Sequence, residues 1–273
     1  MKFLVSNYST PWSTESHYFN AGLSLIDGVQ SSLFNQSASV YDNFDTAKPD
    51  VFITYFGQMS MDIVLYLKEN KNIKLVINVD GIPADHIEKA YLSLVSENIK
   101  PTLFGKEDLK FDNATYFKIL PGADIFLQKG PKNYSVDKLI FVDNESQIQE
   151  LDCSYHYTTV ATNDNAELTS KVDFVIPITL LNSIFSNYQE IVFKGGSYIG
   201  SQLSFNAIYS GTKIIFDTKD SKDLDKIDNI FKGQKLLSSV KNKHTCLHRL
   251  KSLLSSLSYT DLSSKVDSEI NKI

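Results

Sequence analysis

Short runs of β-branched and aromatic residues alternate along this chain with longer segments whose apolar residues recur at helical spacing. Runs of this kind predict strands at residues 2–6, 51–56, 74–79, 101–104, 116–120, 138–142, 157–162, 173–178, 191–193 and 213–216. Continuous apolar strands separated by helices are typical of parallel sheets that are buried on both faces. The pattern therefore predicts an α/β fold.

A polar segment interrupts this alternation near the middle of the chain. Residues 129–135 (KGPKNYS) contain both glycine and proline and are the best candidate for an interdomain linker. Strands and helices alternate on both sides of this segment, which predicts two Rossmann-like domains facing across a cleft. The expected domains are residues 1–130 and residues 131–273, the second including the helical carboxyl-terminal region.

The composition is that of a globular protein, with 42% hydrophobic and 22% charged residues. We expect no membrane span, because the longest apolar runs are far too short, and no signal peptide at the amino terminus. Cys153 and Cys246 lie far apart without metal-like spacing and indicate a reducing compartment. Abundant Asn, Lys, Ile and Ser suggest an AT-rich genome, so the expected location is the cytoplasm of a bacterium or a phage-infected host cell.

The charge pattern gives no global attraction to nucleic acid, since the net charge is −5 and Arg249 is the single arginine among 27 basic residues. Residues 232–251 are locally basic; a solvated helix face is the favoured interpretation, and contact with an anionic acceptor such as DNA phosphates is the alternative. No histidine or cysteine cluster indicates zinc. The D-x-D triplet at Asp223 lies in a charged helical segment, so no metal site is expected there.

A glycine-rich turn after the strand at 191–193 is the clearest candidate binding site. It leads into a helix from about Ser201 to Tyr209 and then into another strand, so backbone N–H groups should face the carboxyl edge of a sheet, where α/β proteins hold phosphates. The turn lacks both a P-loop lysine and a G-x-G-x-x-G pattern, and an ordinary tight βαβ turn is the alternative. The candidate donor-binding residues are Lys194, Gly195, Gly196, Ser197, Ser201, Gln202, Ser204 and Asn206.

Two further residues are candidates for catalysis. Asp80 ends a buried strand, where a carboxylate can act as a general base on an acceptor hydroxyl; capping the next helix or forming an Asx turn with Gly81 is the alternative. His17 falls in the first turn of the first helix, where it either contacts a substrate or caps the helix in solvent.

The segment SFNAIYSG, followed at once by TKIIFD, resembles the carboxyl-terminal half of GT-B glycosyltransferases, and ILPGAD at residues 119–124 is similar to their linker signature. The resemblance implies two Rossmann-like domains, a nucleotide-sugar donor (a UDP-sugar) held by the turn and helix, no further cofactor, and an inverting transfer. It places Ser204 and Asn206 near the ribose. Asn206 stands where many family members have glutamate, which leaves a non-catalytic binding protein open.

The segment VINVDGIP is also similar to one in T-even phage β-glucosyltransferases, which modify 5-hydroxymethylcytosine in DNA. In those enzymes an aspartate before a proline supplies the base, and Asp80 with Pro83 matches that arrangement. This resemblance implies duplex DNA as the acceptor, whereas the acidic net charge favours a cell-envelope polysaccharide or a protein. The sequence leaves the oligomeric state open.

Overall fold

The structure, a computed structural model, describes residues 1–7, 15–126, 136–142, 145–149, 157–161, 174–175, 185, 187–233 and 235–273. The chain forms two compact units. Residues 1–7, 15–120 and 247–273 make up the first unit, and the described residues from 121 to 246 make up the second.

The first unit is built on a six-stranded parallel sheet with the strand order β2-β1-β3-β4-β5-β6. The strands are β1 (Lys2–Val5), β2 (Gln30–Leu33), β3 (Val51–Tyr55), β4 (Lys74–Asn78), β5 (Thr102–Gly105) and β6 (Thr115–Lys118). The chain runs from β1 to β2 on one side and then to β3 on the other side of β1. The carboxyl ends of β1 and β3 therefore form a topological switch point, where α/β sheets bind ligands.

Four helices connect these strands: α1 (Glu15–Ser24), α2 (Val40–Ala47), α3 (Met61–Glu69) and α4 (Ala84–Ser96). Ser39 and Ser60 begin α2 and α3 as N-caps, because their hydroxyls accept backbone N–H groups of the first turn. The core beneath the sheet contains Phe44, Phe52 and Ile77, each at most 1% exposed. Packing of the sheet between helices thus fixes the direction in which the strand ends point.

The second unit has a five-stranded parallel sheet with the order β11-β10-β7-β8-β9. Its strands are β7 (Val136–Val142), β8 (Tyr157–Ala161), β9 (Phe174–Val175), β10 (Tyr188–Lys194) and β11 (Lys213–Asp217). The helices among its described residues are α5 (Glu145–Gln149), α6 (Gln202–Tyr209), α7 (Ser221–Phe231) and α8 (Leu236–Lys243). The strand order reverses between β7 and β10, so the switch point of this sheet lies at their carboxyl ends.

The last two helices, α9 (Cys246–Ser256) and α10 (Thr260–Ile270), bring the chain back to the first unit from residue 247. Leu250 and Leu253 are fully buried there, and a Cβ at Gly22 of α1 would lie 2.9 Å from Leu250 Cδ2. This apolar packing places the last two helices in the first unit, whereas the sequence predicted that they belong to a second domain of residues 131–273.

In the described part of the chain, no helix is long and apolar enough to span a bilayer.

The sheets confirm the predicted α/β class with two Rossmann-like units, and most predicted strands appear within two residues of their expected bounds. The sequence pattern missed β2 and α2. β2 reads QSSL, which has no β-branched residue, because it is an edge strand whose side chains are exposed or half-buried. The predicted linker at 129–135 and most of the predicted strand at 173–178 lie outside the described residues.

Gly122 lies where two segments of the second unit meet. Beside it, the Ala123 N–H donates to His244 O and the Cys246 N–H donates to Ala123 O, both at 2.7 Å. A Cβ on Gly122 would overlap the backbone of Thr245 in this parallel bridge. Glycine is therefore required here by the close approach of the backbones.

We expect Gly122→Ala to lower the free energy of unfolding by about 1–3 kcal/mol, because the bridge must separate to admit the methyl group. Gly57→Ala is the control, since its Cβ would meet nothing closer than 3.5 Å, and it should change stability by less than about 0.5 kcal/mol. Urea unfolding monitored by circular dichroism measures both. Equal stability of the two variants would contradict the described bridge.

Candidate functional site

The glycine-rich turn lies at the switch point of the second sheet, as the strand order requires. It follows β10, and Gly195 (φ 80°) and Gly200 (φ 74°) both adopt the left-handed backbone conformation that favours glycine. Residues 196–198 form one 3₁₀ turn, and Ser201 caps α6 by accepting the Ser204 N–H at 3.1 Å. The predicted strand, turn, helix and strand are thus confirmed.

Several backbone N–H groups of this turn already have partners within the protein. The Gly195 N–H donates to Asp217 O at 3.2 Å, and the Ser201 N–H donates to Tyr198 O at 3.0 Å. The turn therefore offers fewer N–H groups to an anion than the sequence suggested. Ser197 is exposed and Gln202 is half-buried at the start of α6, so both side chains are accessible to a ligand.

The charges around the turn are mixed. Lys194 Nζ lies 2.6 Å from Asp217 Oδ2, because the two residues are in register at the ends of β10 and β11. The Asp223 carboxylate packs so closely on Gly196 that a Cβ there would overlap it, and Thr218 Oγ1 donates to Asp223 Oδ2 at 2.7 Å. The D-x-D triplet rejected from the sequence thus places one carboxylate directly against the turn.

Ser204 and Asn206 are both buried inside the second unit. The Ser204 hydroxyl donates to Ser201 O at 3.0 Å, and Asn206 Oδ1 accepts the Asp124 N–H at 2.7 Å. Both residues are at most 1% exposed. Their positions give no support to the predicted ribose contacts, because both face the protein interior and stabilise the helix and the 121–126 segment.

Asp80 lies at the carboxyl edge of the first sheet and is held by four hydrogen-bonding groups. Its N–H donates to Asn78 Oδ1 at 2.8 Å, and its carbonyl accepts the Tyr55 hydroxyl at 2.7 Å. Its carboxylate accepts the Lys106 N–H at 2.5 Å through Oδ1, a contact that the missing side chain of Gly105 permits. The side chain is 21% exposed, so the carboxylate has a face open to a substrate.

The fourth group is Arg249, whose guanidinium is buried between two carboxylates. Its Nε and Nη2 donate to Glu15 Oε1 at 2.9 and 2.6 Å, its Nη2 also lies 3.2 Å from Asp80 Oδ2, and its Nη1 donates to Ile119 O at 2.9 Å. Burial alone would lower the pKa of Arg249, but the negative charges of Glu15 and Asp80 outweigh it and raise the pKa. The positive charge of Arg249 is therefore permanent, and the two carboxylates balance it.

Two tyrosines border this cluster as neutral hydroxyl donors. Burial, followed by the charge of Asp80, raises the pKa of Tyr116 to about 12, and the same two causes raise the pKa of Tyr55. Because the folded state favours the protonated tyrosines, their contribution to stability is present below pH 10 and is lost as pH rises toward 12. Both hydroxyls thus stay neutral near neutral pH beside the charged groups of Glu15, Asp80 and Arg249.

His17 is exposed on α1 and has no hydrogen bond or ion pair with any described residue. Its catalytic role stays a prediction. The sequence indicated that Glu15, like His17, lies in the first turn of α1 near this edge, but it predicted neither the Glu15–Arg249 ion pair nor the interior position of Arg249. The one available signal was that this chain of 273 residues keeps a single arginine.

The basic segment at 232–251 is not one solvated face. Arg249 is 2% exposed, and His244 stacks on Phe205 with ring centroids 4.9 Å apart. Burial lowers the pKa of His244, so it carries no charge at neutral pH. Lys241 and Lys243 remain exposed. Within the described residues, no group of three or more His, Cys, Asp or Glu side chains could hold a metal ion.

No protein-family model and no curated protein matches the chain. Among solved structures, UDP-GlcNAc 2-epimerase from Neisseria meningitidis bound to UDP-GlcNAc is similar with a TM-score of 0.47 and 14% identity, over 95% of this chain and 100% of that chain. The S. aureus MnaA–UDP co-structure is similar with a TM-score of 0.47 and 10% identity, over 96% of this chain and 98% of that chain. CalG4, the calicheamicin glycosyltransferase, is similar with a TM-score of 0.37 and 9% identity, over 97% of this chain and 92% of that chain.

We expect Arg249→Met to lower the free energy of unfolding of the first unit by about 3–5 kcal/mol, because it leaves the buried Glu15 and the partly buried Asp80 carboxylates without their counter-charge. Lys251→Met is the control: Lys251 pairs with Asp267 at the surface, and its loss should cost at most about 1 kcal/mol. Adding Glu15→Gln to Arg249→Met should recover part of the loss. Urea unfolding measures all three, and equal losses for the two single variants would refute the account of Arg249.

Proposed function

We propose that this chain is a nucleotide-sugar-dependent glycosyltransferase of the GT-B class, with the donor bound at the carboxyl edge of the second sheet. The observation that supports this is the position of the glycine-rich turn at the switch point between β7 and β10. A parallel sheet, a switch point and a helix N-terminus together form the arrangement in which α/β proteins hold nucleotide phosphates. The resemblance of residues 204–217 to the GT-B pattern supports the same conclusion.

In this proposal Lys194 exchanges its partner Asp217 for the donor diphosphate. Its side chain is 15% exposed and lies at the end of β10, immediately before the turn. Ser197, Ser201 and Gln202 supply further polar contacts from the turn and the first residues of α6. Lysine charge and oriented dipoles stabilise the nucleoside diphosphate as it leaves.

Asp80 is the proposed general base. The acceptor O–H loses its proton to the carboxylate, the acceptor oxygen bonds to the anomeric carbon, and the bond from that carbon to the diphosphate oxygen breaks. Direct displacement of this kind inverts the anomeric configuration. Each oxygen of Asp80 accepts one hydrogen bond from the protein and keeps a second lone pair for the incoming proton. Arg249 and the Lys106 N–H hold the carboxylate in one orientation.

The acceptor is a hydroxyl of a glycan or protein, with 5-hydroxymethylcytosine in DNA as the alternative. The burial of Arg249 and the pairing of Lys251 with Asp267 weaken the case for DNA, because they remove two charges from the basic segment. Salt distinguishes the two acceptors: DNA-dependent binding weakens steeply with ionic strength, whereas binding of a neutral glycan does not.

A second candidate, a GT-B-like protein that binds a nucleotide or partner without turnover, is favoured by a specific observation. Asn206 is buried where the family resemblance expects a glutamate near the ribose, and Asp223 faces the turn with a like charge to the phosphates. Slow hydrolysis of a UDP-sugar in the absence of acceptor distinguishes the candidates, because a binding protein releases no UDP.

We expect Lys194→Met to weaken UDP binding by about tenfold or more, because one charge-assisted contact to the diphosphate is lost. Lys213→Met is the matched control, since Lys213 lies on β11 of the same sheet at the opposite edge and is largely exposed. Calorimetric titration with UDP measures both. If UDP binds to neither wild type nor control, or binds equally to both variants, the proposed donor site is wrong.

Asp223→Asn should strengthen UDP binding by about three- to tenfold, because it removes a negative charge beside the bound diphosphate at an effective dielectric constant near 20. The amide can still accept the Thr218 hydroxyl, so the turn should keep its geometry. Asp225→Asn, an exposed position on the same helix, is the control for net charge. Titration at low and high salt checks the result, and unchanged affinity in Asp223→Asn would place the phosphates elsewhere.

A further inference from the structure

Glu15 is a buried carboxylate to which the proposed transfer reaction assigns no task. Its side chain is 8% exposed, whereas that of Asp80 is 21% exposed. Glu15 therefore presents little surface to an acceptor, and any effect on the reaction must pass through the residues that it contacts. Two of those residues, Arg249 and Asn78, also contact Asp80.

Glu15, Arg249, Asp80 and Asn78 form a closed ring of hydrogen bonds. On one side, Arg249 donates to Glu15 Oε1 at 2.9 and 2.6 Å, and its Nη2 lies 3.2 Å from Asp80 Oδ2. On the other side, the Asn78 side-chain amide donates to Glu15 Oε2 at 2.6 Å, and Asn78 Oδ1 accepts the Asp80 N–H at 2.8 Å. The two oxygens of Glu15 thus orient both side chains that hold Asp80.

The ring also divides the positive charge of Arg249 between two carboxylates. The guanidinium is 1% exposed, so water screens its charge poorly. Without the negative charge of Glu15, the whole guanidinium charge would act on Asp80 and would oppose proton uptake by its carboxylate. A general base accepts a proton in the transition state, so the charge of Glu15 favours the step assigned to Asp80.

Three further ionisable residues neighbour Asp80 at this sheet edge. The Tyr55 hydroxyl donates to the Asp80 carbonyl, and burial raises the pKa of both Tyr55 and Tyr116, so neither tyrosine is charged at neutral or acidic pH. Lys106 donates its backbone N–H to Asp80, while its ammonium group lies 4.0 Å from Glu107 Oε1. A change of charge within the ring is therefore expected to act directly on Asp80.

We propose that Glu15 is a positioning residue, which holds Asp80 in one orientation and offsets the positive charge beside it so that Asp80 accepts the acceptor proton more readily. The inference rests on the proposed transferase function, in which Asp80 is the general base. Glu15 contacts none of the reacting atoms, and it acts through Arg249 and Asn78.

The pH at which the Asp80 carboxylate titrates tests the proposal without requiring turnover. Carbon-13 NMR of the full chain, labelled at the aspartate carboxyl carbons, follows this titration, and Asp80→Asn assigns the signal. We expect Glu15→Gln to move the midpoint to lower pH by about one unit or more, because the unbalanced guanidinium favours the charged carboxylate. The acid limb of the transfer rate should move the same way, and the rate above it should fall about three- to tenfold as the base weakens.

Glu107→Gln is the matched control, because it removes an exposed carboxylate from the same sheet edge and should leave the Asp80 midpoint at the wild-type value. Glu15→Asp keeps the charge and should keep the midpoint near that value. A merely structural role for Glu15 would lower the melting temperature of both Glu15 variants and leave the midpoint unchanged. In an Arg249→Met background Glu15→Gln should also lower the midpoint, which provides the measurement if the single variant does not fold.

The proposal is overturned if Glu15→Gln leaves the Asp80 midpoint unchanged in the background where it folds, or if Glu107→Gln moves the midpoint equally. The same samples separate this result from the fate of the proposed function. A shifted midpoint in a protein that turns over no UDP-sugar refutes the transferase and supports the control of Asp80 by Glu15. Turnover with an unshifted midpoint refutes the role of Glu15 alone.

Discussion

The buried guanidinium of Arg249 is the interaction on which the first unit depends. It joins a residue of α9 to Glu15, 234 positions earlier in the chain, and to Asp80 at the end of β4. Burying a charge is tolerated only when its partners are buried with it, so the three residues are stable together and unstable singly. The carboxyl-terminal helices and the proposed catalytic carboxylate are thereby fixed by one set of hydrogen bonds.

The carboxyl edges of the two sheets differ in their charges. At the first edge a permanent positive charge orients a carboxylate, so Asp80 has a defined direction before any substrate arrives. At the second edge Lys194 is paired with Asp217, and Asp223 lies against the glycine-rich turn. A diphosphate bound there must displace one ion pair and tolerate one like charge, which makes affinity at the turn sensitive to these residues.

Local sequence patterns predicted the strands, the glycine-rich turn and the α/β class, because these depend on residue type and short-range spacing. The edge strand β2 was not predicted, because the extended conformation of its polar sequence QSSL depends on pairing with β1 and not on strand propensity. The burial of Arg249 and Asn206 escaped for a different reason. Both are polar residues placed by contacts with distant parts of the chain, which no local window contains.

Hydrogen–deuterium exchange of the full chain with and without UDP tests the proposed donor site, because it locates the nucleotide without changing the protein. We expect slower exchange in peptides covering residues 194–204, at the switch point of the second sheet, and no change across residues 34–60 of the first unit. Protection confined to the first unit, with residues 194–204 unchanged, would contradict the proposed donor site.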